Sequence, residues 1–183
     1  MSISDIFAAL KTDEQLEAAI KSDVTAVFHL QPNIESLDKT VKAVHSAGKK
    51  LFIHMDMAEG IGRDKFGVEY VKRAGVDGII STRSNIIRFA RDTGLFTVQR
   101  FFAVDSQAVE TTAETVKSTK PDMIEIMPGI ATKAIEKLSQ RLSVRIIAGG
   151  LIEAPQEVEN AIRAGAVAVS TGKEELWFDG GRK

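Results

Sequence analysis

Short apolar runs alternate with longer amphipathic stretches along most of the chain. Four amphipathic stretches end in a glycine that is followed at once by a run rich in valine, isoleucine or phenylalanine. These glycines are Gly48, Gly75, Gly94 and Gly165. Glycine is favoured after the last turn of a helix because it adopts positive φ without steric cost. Before Gly48, the residues Leu37, Val41 and Val44 recur with the period of a helix that buries one face.

The apolar runs predict eight strands, each followed by a helical segment. The predicted strands cover residues 6–9, 25–30, 50–54, 78–81, 97–101, 123–126, 145–148 and 167–170. Strict alternation of strands and helices favours parallel strands joined by crossovers, and eight such units are typical of a (β/α)8 barrel. We therefore predict a compact α/β fold, a TIM-type barrel that forms a single domain over residues 1–183. An open doubly wound sheet is the alternative.

Composition narrows the classes of partner. The 183 residues are 44% apolar and carry a formal charge of −1, so no global basic field predicts nucleic-acid binding. The sequence has no cysteine, which excludes disulfides and thiolate metal sites and suits a reducing compartment. The chain shows neither a signal peptide nor an apolar run long enough to cross a membrane. These features predict a cytoplasmic protein that does not engage a membrane.

Two glycine-rich strand ends predict a phosphate site. The seventh strand ends at Gly149 and Gly150, and the eighth ends at Ser170, Thr171 and Gly172, just before the helical segment "KEELW". In TIM barrels, phosphate commonly binds at the loops after strands seven and eight. Glycines let backbone amides approach phosphate oxygens, and the two hydroxyls can add donors. We predict phosphate contacts from these five residues.

Other polar residues are predicted to share the rim formed by the carboxyl ends of the strands. The candidates are Lys11, His54, Asp56, Glu59, Arg63, Arg83, Gln99, Arg100, Glu125 and Gly129. Each could instead be structural, for example as a helix cap or half of an ion pair. His54, Asp56 and Glu125 could together hold a divalent ion, but no metal-binding motif supports this, and we expect neither a metal nor a cofactor. No residue is assigned a catalytic role, although Lys11 could form a Schiff base if it were desolvated.

Several longer motifs resemble one family in order along nearly the whole chain. They are "KKLFIHMDMAEGIGRD", "DGIISTRSN", "TVQRFF", "STKPDMIEIMPGI", "IIAGGLI" and "AVAVSTGKEELW". These segments are similar to those of the glycerol-3-phosphate-responsive antiterminators that control glycerol uptake operons. The resemblance implies a non-catalytic regulator that binds sn-glycerol 3-phosphate and then acts on leader mRNA to prevent transcription termination. The alternative function is a phosphotriose- or phosphosugar-handling enzyme, either a lyase or an isomerase.

Any RNA contact has to come from a local cluster of basic residues. The candidates on predicted helix exteriors and turns are Lys49, Lys50, Lys65, Lys72, Arg73, Arg88 and Arg91. Alternating charges on a helix exterior are more often a solvated face than a binding site. With one Trp and one Tyr, the sequence offers no evident base-stacking platform. If RNA binds, we expect contacts to phosphates and to shape, with a homodimer as one way to present them.

Overall fold

The computed structural model describes residues 6–178, apart from the side chain of Asp13. Within this range eight strands and seven α-helices alternate, and two short 3₁₀ helices are also present. The strands are β1 (Ile6–Leu10), β2 (Ala26–His29), β3 (Lys50–His54), β4 (Gly78–Ser81), β5 (Phe96–Phe102), β6 (Met123–Met127), β7 (Arg145–Gly149) and β8 (Ala168–Thr171). The helices are α1 (Asp13–Lys21), α2 (Leu37–Ser46), α3 (Lys65–Arg73), α4 (Ser84–Thr93), α5 (Ser106–Thr119), α6 (Thr132–Arg141) and α7 (Pro155–Arg163). The 3₁₀ helices span Met55–Met57 and Glu174–Trp177.

The eight parallel strands close into a barrel in sequence order. Closure is made by β1 and β8, which pair with Ala8 opposite Thr171 and Ile6 opposite Val169. The predicted (β/α)8 barrel is therefore confirmed, each predicted strand agreeing with the observed one to within one residue at either end, and the open doubly wound sheet is wrong. The ends of the predicted single domain, residues 1–5 and 179–183, lie outside the described residues. None of the described helices is long and apolar enough to span a membrane.

Strand alternation separates two apolar cores. Outward-facing strand residues pack against the helices and form the larger core. Residues that face the inside of the barrel form a second, smaller cluster. In it the rings of four phenylalanines are neighbours in the order Phe7, Phe28, Phe52 and Phe96, with successive centroids 5.3, 5.3 and 5.7 Å apart. These rings fill the end of the barrel where the strands begin. Polar side chains can therefore occupy the interior only near the end where the strands finish.

Helix ends follow the predicted glycine signals. The four glycines that were expected to end helices have φ angles of 71° at Gly48, 90° at Gly75, 80° at Gly94 and 109° at Gly165. Each allows the chain to leave a helix and enter the following strand within a few residues. Short turns of this kind explain how eight βα units fit into fewer residues than most TIM barrels use.

The turn after β8 is held by the single tryptophan of the chain. Trp177 is 1% exposed, and its indole Nε1 donates a hydrogen bond of 2.8 Å to the carbonyl of Thr171. The carbonyl of Trp177 in turn accepts from the amide of Asp23 at 3.1 Å. This side chain therefore ties the final 3₁₀ helix to the end of β8, where a phosphate contact is predicted.

Trp177→Phe should lower the free energy of unfolding by about 1–3 kcal/mol, because it removes one buried hydrogen bond and part of a buried ring. Denaturant titration followed by circular dichroism measures this loss. Phe178→Leu is the matched control, since Phe178 is 43% exposed and its replacement should change stability little. Equal stability of Trp177→Phe and the wild type would contradict the assigned role.

Candidate ligand-binding site

A cavity of about 410 Å³ opens where β1, β7 and β8 end. We call it the rim cavity. Seven of the predicted site residues line it: Lys11, Arg100, Glu125, Gly150, Ser170, Thr171 and Gly172. Its lining also includes Gln15, Leu151, Glu153 and Lys173, which sequence reasoning missed. Lys173 directly follows the "STG" motif, so its position next to the predicted phosphate contacts was the signal that could have identified it.

The two glycines at the end of β7, Gly149 and Gly150, are required for two separate steric reasons. A Cβ atom on Gly149 would overlap Glu125 Oε1 and would lie 2.7 Å from Ser170 Oγ. Gly150 has a φ of +77°, and a Cβ there would lie 2.7 Å from the Met127 methyl group. Leu151 also has positive φ, at 58°, which is strained for a residue with a side chain. The chain therefore turns sharply at the mouth of the cavity.

Three backbone amides at this mouth lack a hydrogen-bond acceptor. Within residues 6–178, no acceptor takes a hydrogen bond from the N–H groups of Gly150, Leu151 or Gly172. The Thr171 hydroxyl is already engaged, since it donates to the Ile152 carbonyl at 2.7 Å and accepts from the Lys173 amide at 3.0 Å. The three backbone amides therefore remain available as donors to an anion, whereas the Thr171 hydroxyl does not.

A buried ionic network forms the floor of the cavity. Glu125 is fully buried, and its two carboxylate oxygens accept hydrogen bonds of 2.5 Å each, Oε2 from Arg100 Nε and Oε1 from the Ser170 hydroxyl. Arg100 is 8% exposed and is one of the residues that line the cavity. Three cationic side chains, those of Lys11, Arg100 and Lys173, thus face two carboxylates, those of Glu125 and Glu153. The cavity suits an anionic ligand that also carries hydroxyl groups.

Another predicted group lies together at the ends of β3 and β4 and does not line the rim cavity. Asp56 accepts hydrogen bonds from the Ser81 hydroxyl at 2.6 Å and from the Thr82 amide and hydroxyl at 2.7 Å each. His54 Nε2 lies 3.5 Å from Asp56 Oδ2, and Arg83 Nε lies 3.8 Å from Asp56 Oδ1. Burial alone would raise the pKa of Asp56, but the nearby His54 and the hydrogen bonds from Ser81 and Thr82 outweigh it and hold that pKa well below its usual range. Asp56 is thus an ionised acceptor that fixes the turn after β4.

The remaining predicted residues are not brought into the rim cavity. Gln99 points outward from β5 and bonds to Thr119 at 2.6 Å, on the helix side of the sheet. Glu59 is exposed and accepts from Asn33 at 3.0 Å, and Arg63 is also exposed. Gly129 lies next to the cavity mouth, where its amide donates a hydrogen bond of 2.9 Å to the Gly150 carbonyl and holds that turn.

The three residues considered for a divalent ion are not clustered. Among the described residues, no group of three or more His, Asp or Glu side chains is placed to hold a metal. Glu125 belongs to the floor of the rim cavity with Arg100 and Ser170, whereas His54 and Asp56 contact each other at the ends of β3 and β4.

The fold and the rim cavity define a small TIM barrel with a polar, cation-lined cavity at the carboxyl ends of its strands. Residues 6–177 match the family model described as glycerol-3-phosphate responsive antiterminator. The chain therefore belongs to the glycerol-3-phosphate responsive antiterminator family, as the sequence motifs indicated.

Individual relatives agree with this membership. The chain is 33% identical to a glycerol uptake operon antiterminator regulatory protein from Listeria monocytogenes, with a TM-score of 0.90 over 97% of this chain and 96% of that one. A glycerol uptake operon antiterminator-related protein from Thermotoga maritima is 32% identical, with a TM-score of 0.85 over 95% and 98% of the two chains. The Escherichia coli K12 protein YgcP is 35% identical over 94% of this chain and 91% of its own length. A deoxyribose-phosphate aldolase from Aeropyrum pernix, at 13% identity and a TM-score of 0.73, shares the barrel fold alone.

Asp56→Asn should change how stability depends on pH. Because folding lowers the pKa of Asp56, its carboxylate contributes stability that is complete above the unfolded pKa, about 3.9, and is lost as pH falls below it. The wild type should therefore lose stability more steeply than the variant below about pH 4, by up to about 1.4 kcal/mol per pH unit. At neutral pH the variant should be less stable by about 1–3 kcal/mol.

Urea titrations between pH 2 and pH 7 measure both effects. The control is Asp38→Asn, which changes an exposed carboxylate in the first turn of α2. Parallel stability curves for the wild type and Asp56→Asn would contradict the assigned role of Asp56.

Proposed function

We propose that this protein senses sn-glycerol 3-phosphate in the rim cavity and, when liganded, acts on leader mRNA to prevent transcription termination of glycerol uptake genes. The observation that carries the ligand assignment is the set of free amides at Gly150, Leu151 and Gly172, flanked by Lys11 and Lys173. Amides that converge at a strand end bind phosphate well because they supply donors without a side chain in the way. The phosphate group is assigned to this mouth.

The glycerol end of the ligand is assigned to the floor of the cavity. A diol requires groups that both donate and accept hydrogen bonds. Arg100 supplies donors, and the Glu125 carboxylate and the Ser170 hydroxyl supply acceptors, all within the same cavity. Inorganic phosphate lacks the part of the ligand that would reach these groups. The floor is therefore the part of the site that selects glycerol 3-phosphate over phosphate alone.

We further propose that the bound ligand is not chemically changed. Both oxygens of Glu125 already accept hydrogen bonds from Arg100 and Ser170, so this carboxylate is poorly placed to exchange protons with a ligand. Lys11 is exposed, so its amine is solvated, unlike a Schiff-base lysine in an apolar pocket. The lyase or isomerase alternative requires one of these groups to react, and the experiment below tests that alternative directly.

The regulatory output requires that ligand binding favour one state of the protein. A ligand shifts such a balance only through different affinities for the two states. Family membership supports leader mRNA as the target, and we infer a cytoplasmic location because an antiterminator acts on RNA during transcription. A homodimer is the proposed arrangement if one barrel alone presents too small a surface to the RNA.

Glycerol 3-phosphate should raise the melting temperature of the protein, because a ligand that binds only the folded state stabilises it by mass action. At one hundred times its dissociation constant, the expected stabilisation is about 2.7 kcal/mol. The ligand should be recovered intact by NMR after prolonged incubation. In a gel-shift titration at fixed salt, glycerol 3-phosphate should increase the affinity for a transcript of the operon leader.

Three outcomes would be decisive. Turnover of glycerol 3-phosphate or of a related phosphosugar would favour the enzyme alternative. If glycerol 3-phosphate stabilises the protein but no RNA binds, the proposed ligand remains and the proposed action on leader mRNA is rejected. Absence of stabilisation by glycerol 3-phosphate, with clear stabilisation by another small phosphate, would reject the assigned ligand.

Two variants should separate the phosphate end from the glycerol end. Lys173→Gln removes a cation near the mouth and should weaken binding of glycerol 3-phosphate and of inorganic phosphate to a similar extent. Glu125→Gln alters the floor and should weaken glycerol 3-phosphate while leaving inorganic phosphate largely unaffected. Isothermal titration calorimetry measures both ligands, and circular dichroism confirms folding. Equal losses for both ligands in Glu125→Gln would contradict the assigned orientation.

A further inference from the structure

A second concave surface lies at the opposite end of the barrel, where the strands begin. This cavity of about 500 Å³ is formed between the α5–β6 turn and the α6–β7 turn. We call it the α5–α6 groove. Its charged lining residues are Lys117, Lys120, Asp122, Arg141 and Arg145, and all five are exposed. Four cations therefore surround the groove with one carboxylate among its lining residues.

Three of the four cations in the groove form no ion pair with a described residue. Oδ2 of Asp122 accepts 2.8 Å hydrogen bonds from both the amide and the hydroxyl of Thr97. Arg141 forms a two-pronged ion pair with Glu110, at 2.5 and 2.8 Å. Lys117, Lys120 and Arg145 form no ion pair with any residue between 6 and 178, and the Arg145 guanidinium lies 6.0 Å from the centroid of the Phe96 ring. Three unpaired cations thus share one groove.

Helix dipoles explain only part of this clustering. All seven helices carry a basic residue in the last turn, where it complements the partial negative charge of the helix end. That rule accounts for Lys117 and Arg141, and also for Lys120, which is the C-cap residue of α5. Arg145 begins β7 and lies beyond the end of α6, so it needs another reason.

Some basic residues elsewhere at this end of the barrel have local partners, whereas Arg73 and Arg163 form no ion pair with any residue between 6 and 178. Lys50 pairs with Asp77 at 2.8 Å, and Lys72 donates to the Thr93 carbonyl. Lys49 is buried and donates to the carbonyls of Ser22 and Val24 at 2.7 Å each, so it cannot serve as the RNA contact that its sequence position suggested. Unpaired cations and a concave surface therefore coincide at the α5–α6 groove.

We propose that the α5–α6 groove binds the phosphate backbone of RNA. Lysine and arginine contacts to phosphates supply most of the affinity that does not depend on sequence. The exposed groove has cations on both sides, which suits a continuous polyanion better than a single small phosphate. It has no aromatic lining residue, so the contacts are to phosphates and shape and do not involve stacked bases. This assignment rests on the proposed function, in which the protein acts on leader mRNA, and it names the surface that would contact that RNA.

The groove and the rim cavity lie at opposite ends of the same pair of strands. Asp122 and Arg145 line the groove where β6 and β7 begin, and Met127 and Gly150 line the rim cavity where these strands end. The two sites therefore share β6 and β7 while facing opposite ends of the barrel. RNA can occupy the groove without blocking the entry of a small ligand.

Two matched double variants test the assignment. Lys117→Gln with Lys120→Gln removes two unpaired lysines from the groove. Lys39→Gln with Lys42→Gln removes two exposed lysines with the same spacing from α2 and changes the net charge equally. Fluorescence anisotropy with a labelled operon-leader transcript, in saturating glycerol 3-phosphate, measures RNA affinity from 50 to 200 mM salt.

The groove variant should bind RNA more weakly than the control variant, and its salt dependence should be shallower. Loss of two phosphate contacts lowers the slope of log affinity against log salt by about 1.4–1.8. Between 50 and 200 mM salt the wild type should therefore lose about seven- to twelve-fold more affinity than the groove variant does. Thermal stabilisation by glycerol 3-phosphate should be the same in all three proteins.

The possible failures are distinguishable. RNA binding by the wild type, with equal affinity and slope in both double variants, would overturn the groove assignment and leave the proposed function intact. No RNA binding by the wild type would overturn both. A third outcome is that polyglutamate, at the same concentration of charge, displaces the labelled RNA as effectively as unlabelled RNA does. This result would identify the groove as a surface for an acidic protein and overturn the assignment.

Discussion

The hydrogen bonds that Glu125 accepts from Arg100 and Ser170 are the constraint on which the ligand-binding end of the barrel depends. An ionised carboxylate that is fully buried is strongly unfavourable unless every oxygen is paired, and removing one partner of such a pair typically costs about 3–5 kcal/mol. The barrel meets this requirement with one arginine from β5 and one hydroxyl from β8. Gly149 of β7 leaves the space through which the bond from Ser170 reaches Glu125. The buried Glu125 carboxylate thus determines the residue type at one position in each of three other strands, β5, β7 and β8.

This network also determines where a ligand can bind. The phenylalanine rings close the barrel from the end where the strands begin, and the ionic network forms the floor above them. A small molecule can therefore enter only from the other end, where Gly150 and Gly172 present their amides. The sharp turn at Gly150 and Leu151 begins directly after Gly149, the residue that leaves space for the hydrogen bond between Ser170 and Glu125.

Much of this architecture could be predicted from the sequence. Glycines after amphipathic stretches and short β-branched runs report local backbone preferences, and these preferences were sufficient to locate all eight strands. The phosphate-site prediction used the ends of β7 and β8, and the structure brings four of those five residues to the lining of the cavity. Gln99 and Arg100 show the limit of sequence-based prediction. Both were predicted at the rim, although adjacent residues of a strand face opposite sides of the sheet. Strand alternation would have separated them, but only once the barrel-facing register of β5 was known.

Contacts between distant segments could not be obtained in this way. Lys49 and Lys50 look equivalent in sequence, yet one is buried against carbonyl groups and the other pairs with Asp77. Lys120 and Arg145 are 25 positions apart and belong to different turns, so no local pattern relates them until β6 and β7 lie side by side. For a chain of net charge −1, a polyanion cannot be attracted by the overall field. Positive charge must instead be concentrated at one place, and the turns that enter neighbouring strands of a closed barrel supply such a place because they bring separate segments to the same edge.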